Sequence, residues 1–306
     1  MIETYAAQKP RADSPSLVRL EGVSLFDVGK IFDCGQCFRF DPVEDSRHRL
    51  EFAGCAAGKY ISVAQDGDTV FLYNVTLEEY EAYWKYYLGL DLDYGAINAD
   101  LLSRSSNPAL RSAIEGAAGI RILLQEPWET VCSFILSQNN NIPRIKKLVS
   151  ALSRACGEPV DVSLMDGHIA KAHLEADGNF YSFPSPSSLL SLGVEGLRQL
   201  KTGFRAKYLY DAAQKFGSGE IDTAFLRASD TESSIAELCK VNGIGRKVAS
   251  CALLFGFGRL DAFPVDVWIK KVMEKYFDAG FDPASLGSYA GIAQQYLFYY
   301  ERYLQK

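Results

Sequence analysis

No apolar run in the 306-residue chain approaches the ~20 residues that a membrane-spanning helix needs. The opening stretch, MIETYAAQKPRADSPSL, has no apolar core of the kind a secretory leader carries, so a cytoplasmic location without membrane contact is expected. Excess positive charge is also missing: 32 Lys and Arg stand against 38 Asp and Glu, a net charge of −6. That balance speaks against holding nucleic acid by bulk electrostatics alone, while leaving room for a local basic face. Histidine is scarce, and His48, His168 and His173 form no cluster in sequence. The seven cysteines are scattered and odd in number, as in reduced thiols. Cys34 and Cys37 form a C-x-x-C, but no second pair lies at zinc spacing, so no structural metal is expected.

What is present is ordinary globular material, with 48% apolar and 23% charged residues. The length suggests about two domains and a core that needs no disulfides. Residues 1–15 read as a loose polar start and about 16–78 as β. In 59–75, KYISVAQDGDTVFLYNV, two β-rich runs flank Asp66-Gly67, a dipeptide that tight hairpin turns prefer. Residues 47–55 add a strand before it. The pattern then turns helical. TLEEYEAYWKYYLG starts at Thr76 as N-cap and ends before Gly89, and from residue 108 onward only helices and short loops are expected. A helix over 128–138 is ended by Asn139-Asn140-Asn141. The next starts at Ile142 with Pro143 in its first turn and carries Ile145, Leu148, Val149 and Leu152 on one face. Gly157 stops it, and 158–184 read as an irregular connection. The expected class is α+β: an N-terminal antiparallel β-sheet domain with flanking helices over 1–110, packed on a mostly α-helical core over 111–306.

The most informative segment is 233–257, SSIAELCKVNGIGRKVASCALLFGF. Two helical stretches flank Val241-Asn242-Gly243-Ile244-Gly245, where the glycines permit a tight turn. They leave the amides of 243–247 bare at a helix N-terminus, a ready site for an anion such as a DNA phosphate. Lys247 lies in the first turn of that second helix, against the positive end of its dipole, a placement that favours a neutral, nucleophilic amine. Nineteen residues on, in Phe263-Pro264-Val265-Asp266-Val267-Trp268, Asp266 stands where the N-cap of the next helix belongs. A carboxylate there can face a developing cation. Taken singly, these residues also suit a packed corner, a surface lysine and a simple cap; their conjunction is what points to chemistry.

Gly243-Ile244-Gly245-Arg246-Lys247-Val248-Ala249, followed by Pro264-Val265-Asp266, resembles the helix-hairpin-helix DNA glycosylase superfamily. Ser137-Gln138-Asn139-Asn140-Asn141-Ile142 resembles an element of the 8-oxoguanine DNA glycosylase family. Further elements fall in that family's order: Gly35-Gln36-Cys37-Phe38-Arg39-Phe40, Gly203-Phe204-Arg205-Ala206-Lys207-Tyr208, and Tyr289-Ala290-Gly291-Ile292-Ala293-Gln294 with Phe298. The resemblance covers about residues 16–304 and implies a sheet domain joined to a helical glycosylase core, with the helix-hairpin-helix at 233–257.

It also implies roles. Lys247 would attack C1′ of the damaged nucleotide, expel the base and form a Schiff base, after which β-elimination nicks the strand; Asp266 would stabilise the cationic transition state. Gly35, Cys251, Gln294 and Phe298 would form the lesion pocket: Gly35 reading N7–H through its carbonyl, Gln294 bonding the Watson–Crick edge, Phe298 and Cys251 covering the two faces. A sandwich of this kind repays the few kcal/mol of unstacking a flipped base. Asn139 would fill the gap, Phe204 would wedge beside the estranged base, and Arg144 and Arg205 would donate to an opposite cytosine. Gly243, Gly245 and Lys247 would hold DNA phosphate. Basic runs at 141–156 (Arg144, Lys146, Lys147, Arg154) and 196–207 (Arg198, Lys201, Arg205, Lys207) fit a DNA face.

The expected partner is duplex DNA containing oxidised purines, and a monomer is the default. No cofactor is expected beyond a monovalent cation at the hairpin carbonyls. Trp268 departs from the histidine of familiar eukaryotic members, which puts a phosphate contact there in question, and points to a bacterial-type branch with a nucleoid-associated enzyme. The four-cysteine run of the iron–sulfur sister glycosylases is absent. Two other readings remain: a monofunctional alkyl-base glycosylase, which would lack the hairpin lysine, and a non-catalytic helix-hairpin-helix DNA-binding module.

Overall fold

The computed structural model describes residues 4–8, 16–162 and 180–305. Six strands form one antiparallel sheet in the order β1-β2-β6-β5-β4-β3: β1 Thr4–Gln8, β2 Leu17–Glu21, β3 Phe40–Pro42, β4 Leu50–Ala56, β5 Lys59–Asp66 and β6 Thr69–Tyr73. The β5–β6 hairpin closes at the Asp66↔Thr69 pair, with Gly67 at φ +63°. β4 and β5 turn through Ala57 and Gly58, both at positive φ, as a two-residue hairpin turn requires. Where a loose start was expected, β1 pairs along β2 from Thr4↔Glu21 to Gln8↔Leu17. Backbone pairing to an edge leaves no mark in composition, which is why the polar flanks concealed it.

One face of the sheet buries Val18, Leu20, Ile61, Val63, Val70 and Leu72 against Ile31, Phe32, Tyr80 and Trp84. Two helices supply that cover. The first, Val28–Phe32, is capped by Asp27 accepting from the Lys30 amide and was not anticipated. The second starts with a capping box, in which Thr76 accepts from the Glu79 amide and Glu79 from the Thr76 amide. It runs from Leu77–Glu79 through a π-helical stretch, Tyr80–Trp84, into Lys85–Tyr87. The other face buries Ala53, Cys55 and Tyr60 against Val160, Val162 and Phe180. The two described ends of the connection at 158–184 thus lie on the sheet, with one bridge at Pro159↔Tyr181; residues 163–179 lie outside the described residues.

The larger core belongs to the helices, and it also takes in Tyr94, Ile97, Leu101 and Leu110 from before residue 111, together with Cys34 and Phe38. Two nearly buried helices run through it. Pro127–Ser137 is buried over Thr130 to Leu136, and Arg246–Gly256 over Val248 to Gly256. They approach so closely that a Cβ on Gly256 would lie 3.0 Å from Thr130 Cβ. The C-terminal helix, Ala290–Tyr299, is buried from Ala290 to Leu297. It meets the sheet domain through Gln295, whose Nε2 donates to the Cys34 carbonyl at 3.1 Å.

Candidate active site

A cavity of about 850 Å³ opens where the C-terminal helix, the helix Arg246–Gly256 and the loops around 35, 139 and 266 converge. Lys247, Asp266, Gly35, Cys251, Gln294, Phe298 and Asn139, separated by up to 263 positions in the chain, all line it. Gly245 and Trp268 line it too, whereas Gly243, Arg144, Phe204 and Arg205 lie outside its walls.

The hairpin is built as its glycines require. Gly243 sits at φ +83°, and a Cβ there would fall 2.2 Å from the Tyr208 ring. Its neighbour Asn242 is tied to Asp211 by backbone amide and side chain, at 2.8 and 3.0 Å. Gly245 is the N-cap of the second helix, with no side-chain cap and no acid in the first turn. Open space surrounds its missing Cβ. An anion can therefore reach this helix terminus without displacing a side chain.

Lys247 follows, half-buried, with Nζ 5.6 Å from the centre of the Phe134 ring. Phe134 is clamped in turn: it stacks on Phe255 at 5.4 Å and meets Phe38 edge-on at 5.8 Å. One turn on, Cys251 is buried, and burial pushes its thiol up; the Lys247 amine beside it acts in the opposite direction, and the Asp266 charge adds to the rise. Such a thiol is protonated and inert at neutral pH. Asp266 caps the helix Val267–Tyr276, and one oxygen, Oδ1, accepts both the Trp268 amide at 2.9 Å and the Ile269 amide at 2.8 Å. Two amides fix the carboxylate while its second oxygen is not used in the cap.

Another part of the cavity wall is formed by residues far apart in sequence. Gly35 has φ +81°, and a Cβ there would lie 3.3 Å from Ile142 Cδ1 and 4.0 Å from Phe298 Cε1. Gln294 is only 4% exposed, yet its buried Oε1 has no hydrogen-bond partner among the described residues. Such an orphan amide costs about 1–3 kcal/mol unless a ligand satisfies it. The Gly35 loop is held from behind by Gln36, whose Nε2 donates to the Ile31 and Arg121 carbonyls at 2.9 Å and whose Oε1 accepts the Leu123 amide at 2.9 Å. Burial pushes the neighbouring Cys34 thiol up to about 12. Gln36, Gln295, Phe134 and Arg121 thus position the site, although sequence reasoning gave none of them a role. Adjacency to Gly35 and Gln294 was the signal available for the two glutamines.

Asn139 is exposed, in the left-handed region at φ +50°, just beyond the helix Pro127–Ser137. Asn140 donates to the Leu136 carbonyl at 3.0 Å, and Asn141 caps the next helix by accepting the Arg144 amide at 3.0 Å. Phe204 is 52% exposed and stands edge-on to Tyr208 at 5.9 Å. Arg205 lies inward. Its guanidinium is buried, donates to the carbonyls of Gln138 and Thr202, and to that of Asn139 at 3.0 Å, so that it fastens the Asn139 loop. A bond from Arg205 to an opposite base would have to replace one of these. Burial lowers its basicity, and the nearby Arg144 charge lowers it further. Arg144 itself is exposed. The two basic runs are partly spent internally: Lys146 pairs with Asp41 at 2.8 Å and Arg198 with Glu195 at 3.1 Å. Among the described residues no group of three or more His, Cys, Asp or Glu could hold a metal ion, and His168 and His173 lie outside those residues.

A glycine hairpin feeding a lysine-bearing helix, with a capping aspartate in the same cavity, defines a helix-hairpin-helix DNA glycosylase. Residues 132–284 match the HhH-GPD superfamily of base excision DNA repair proteins. Residues 20–131 match the N-terminal domain of 8-oxoguanine DNA glycosylase, and the chain belongs to that family. It is similar over 99% of its length to MBOgg1, solved with a low-affinity DNA ligand, with 36% identity, 100% of that chain covered and a TM-score of 0.84. It is equally similar in structure to the Clostridium acetobutylicum 8-oxoguanine glycosylase/lyase, solved with duplex DNA containing cytosine opposite 8-oxoguanine: 33% identity, 100% and 99% coverage, TM-score 0.84. The Saccharomyces cerevisiae N-glycosylase/DNA lyase is 36% identical over 168 residues, 51% of this chain and 42% of the yeast protein.

Proposed function

We propose that the chain is a bifunctional DNA glycosylase and AP lyase of base excision repair that removes 8-oxoguanine from duplex DNA, preferring cytosine opposite the lesion. The observation that carries the reading is the convergence of Lys247, Asp266 and the unpartnered Gln294 Oε1 in one cavity large enough for a nucleobase.

The chemistry follows from those groups. DNA phosphate docks on the amides after Gly243, and the damaged nucleotide turns out of the helix into the cavity. There Gln294 and the Gly35 backbone bond the edge of the base, and Phe298 and Cys251 cover its faces. The Lys247 amine forms a bond to C1′ as the N-glycosidic bond breaks and the base departs with its electron pair. Asp266, held by two amides, faces the positive charge that develops on the sugar. Loss of a proton from nitrogen and opening of the sugar ring give the imine. Removal of a C2′ proton then expels the 3′ phosphate, and water releases Lys247. A lysine nucleophile separates this reading from a monofunctional alkyl-base glycosylase, and a paired carboxylate separates it from a binding module. Arg144 donates to the opposite cytosine. Among the described residues no helix is long and apolar enough to cross a membrane.

Single-turnover excision from duplexes carrying 8-oxoguanine opposite each of the four bases tests this. Fastest release opposite cytosine is expected, with the preference flattened in Arg144→Ala. Absence of release opposite any base would refute it.

A further inference from the structure

Beyond Asp266 the lip of the cavity is basic. Lys270 and Lys271 are exposed on the helix Val267–Tyr276, and Arg302 reaches the same lip from the C-terminal turn Tyr300–Leu304. Lys270 and Arg302 line the cavity itself. Lys271 Nζ sits 4.9 Å over the ring of Trp268, and Arg302 Cζ lies 5.4 Å over the ring of Phe298 and 5.3 Å over that of Tyr303. Trp268 and Phe298 are both cavity residues. Among the described residues none of these three cations makes an ion pair, whereas Lys275 on the same helix is spent on Glu301 at 3.5 Å and Arg246 across the cavity on Glu232.

Three unneutralised cations in a protein of net charge −6 need an anionic partner to account for their grouping. Two of them are mounted on aromatic rings. A cation–π contact restrains a long side chain and keeps its charge at a fixed place on the lip. The indole of Trp268 cannot itself carry charge; Lys271 resting on it brings charge to that place. The cavity that holds Asp266 thus carries two anion-attracting features of different kinds, backbone amides at the hairpin and side-chain cations on the lip. A nucleotide turned into the cavity has a phosphate on each side.

We propose that Lys270, Lys271 and Arg302 form a second phosphate clamp on the lip of the cavity, separate from the hairpin, that grips the strand carrying the extruded nucleotide. The proposal rests on the glycosylase reading above. Because it works by charge neutralisation, it releases counterions and its contribution falls as salt rises.

The test is fluorescence anisotropy with a duplex carrying a tetrahydrofuran abasic analogue opposite cytosine, across a sodium chloride series, for wild type and Lys270→Ala/Lys271→Ala/Arg302→Ala. The slope of log K against log salt is expected to become shallower by about 2–3, with affinity lowered at least ~10-fold at low salt. The charge-keeping Lys270→Arg/Lys271→Arg/Arg302→Lys variant is expected to hold the wild-type slope, which separates charge from packing. An unchanged slope in the alanine variant overturns the clamp, as does loss of slope in the charge-keeping one. Borohydride trapping of wild type on 8-oxoguanine DNA is run alongside. Absence of an adduct would count against the glycosylase reading, whereas an adduct with an unchanged slope counts against the clamp alone.

Discussion

Gln294→Met separates stability from function in one substitution. The side chain is 4% exposed and its Oε1 is buried without a partner among the described residues. An unsatisfied buried amide oxygen costs about 1–3 kcal/mol, and methionine fills a similar volume without that penalty. Taking the low end, because the swap also changes packing, the variant is expected to be more stable by about 1 kcal/mol. For a protein of this size that corresponds to a rise in Tm of about 1–2 °C. On the proposed function the same oxygen and its amide partner bond the lesion base, so removing them is expected to take away about 1–3 kcal/mol of recognition, or roughly 5- to 150-fold in single-turnover base release. Differential scanning calorimetry and a quenched-flow excision assay on one preparation read both quantities. A variant that melts lower than wild type while excising 8-oxoguanine at the wild-type rate would refute the reasoning, because the orphan oxygen would then be serving the fold and not the base.

Asp266→Asn keeps the helix cap, since asparagine caps as well as aspartate, so stability is expected to change by less than about 1 kcal/mol. Base release, by contrast, should fall by roughly 10²–10³, the scale of losing one positioned electrostatic group; equal losses in stability and rate would assign Asp266 to structure. Gly243→Ala places a Cβ 2.2 Å from the Tyr208 ring at φ +83°. It is expected to destabilise by about 2 kcal/mol or more and to weaken binding of undamaged duplex, read by urea denaturation and anisotropy. Arg205→Met leaves the carbonyls of Gln138, Asn139 and Thr202 without their donor. A loss of about 2–4 kcal/mol is expected, with faster hydrogen exchange in 138–141, and an unperturbed loop would contradict the fastening role.

The parts of the site legible in the sequence are those whose function depends on local backbone form. The hairpin glycines, the lysine in the first turn after them and the aspartate at the next N-cap are short-range patterns, and each stands in the structure where its neighbours in sequence place it. The spacing of Gln294 and Phe298 sets them one turn apart on a single helix for the same reason. What stayed hidden depends on contacts across the fold. Gln295 reaches back 261 positions to the Cys34 carbonyl, and Gln36 reaches forward to Arg121 and Leu123. Nothing near either glutamine in sequence indicates its partner. Arg205, expected at an opposite cytosine, and Lys146 read as DNA-facing cations within basic runs, because a run of charges does not reveal which of them finds a carbonyl or a carboxylate. Similarly, β1 pairs by its backbone, which residue types near the chain start do not report.

Peptide mapping of the borohydride-trapped complex tests the central claim most directly. Wild type is incubated with an 8-oxoguanine·cytosine duplex and sodium borohydride, and the adduct is digested and sequenced by mass spectrometry. A reduced sugar remnant on Lys247, with no adduct from Lys247→Gln, is the expected result. A remnant on another amine, or an adduct of equal yield from Lys247→Gln, would contradict the assignment of Lys247 as the nucleophile.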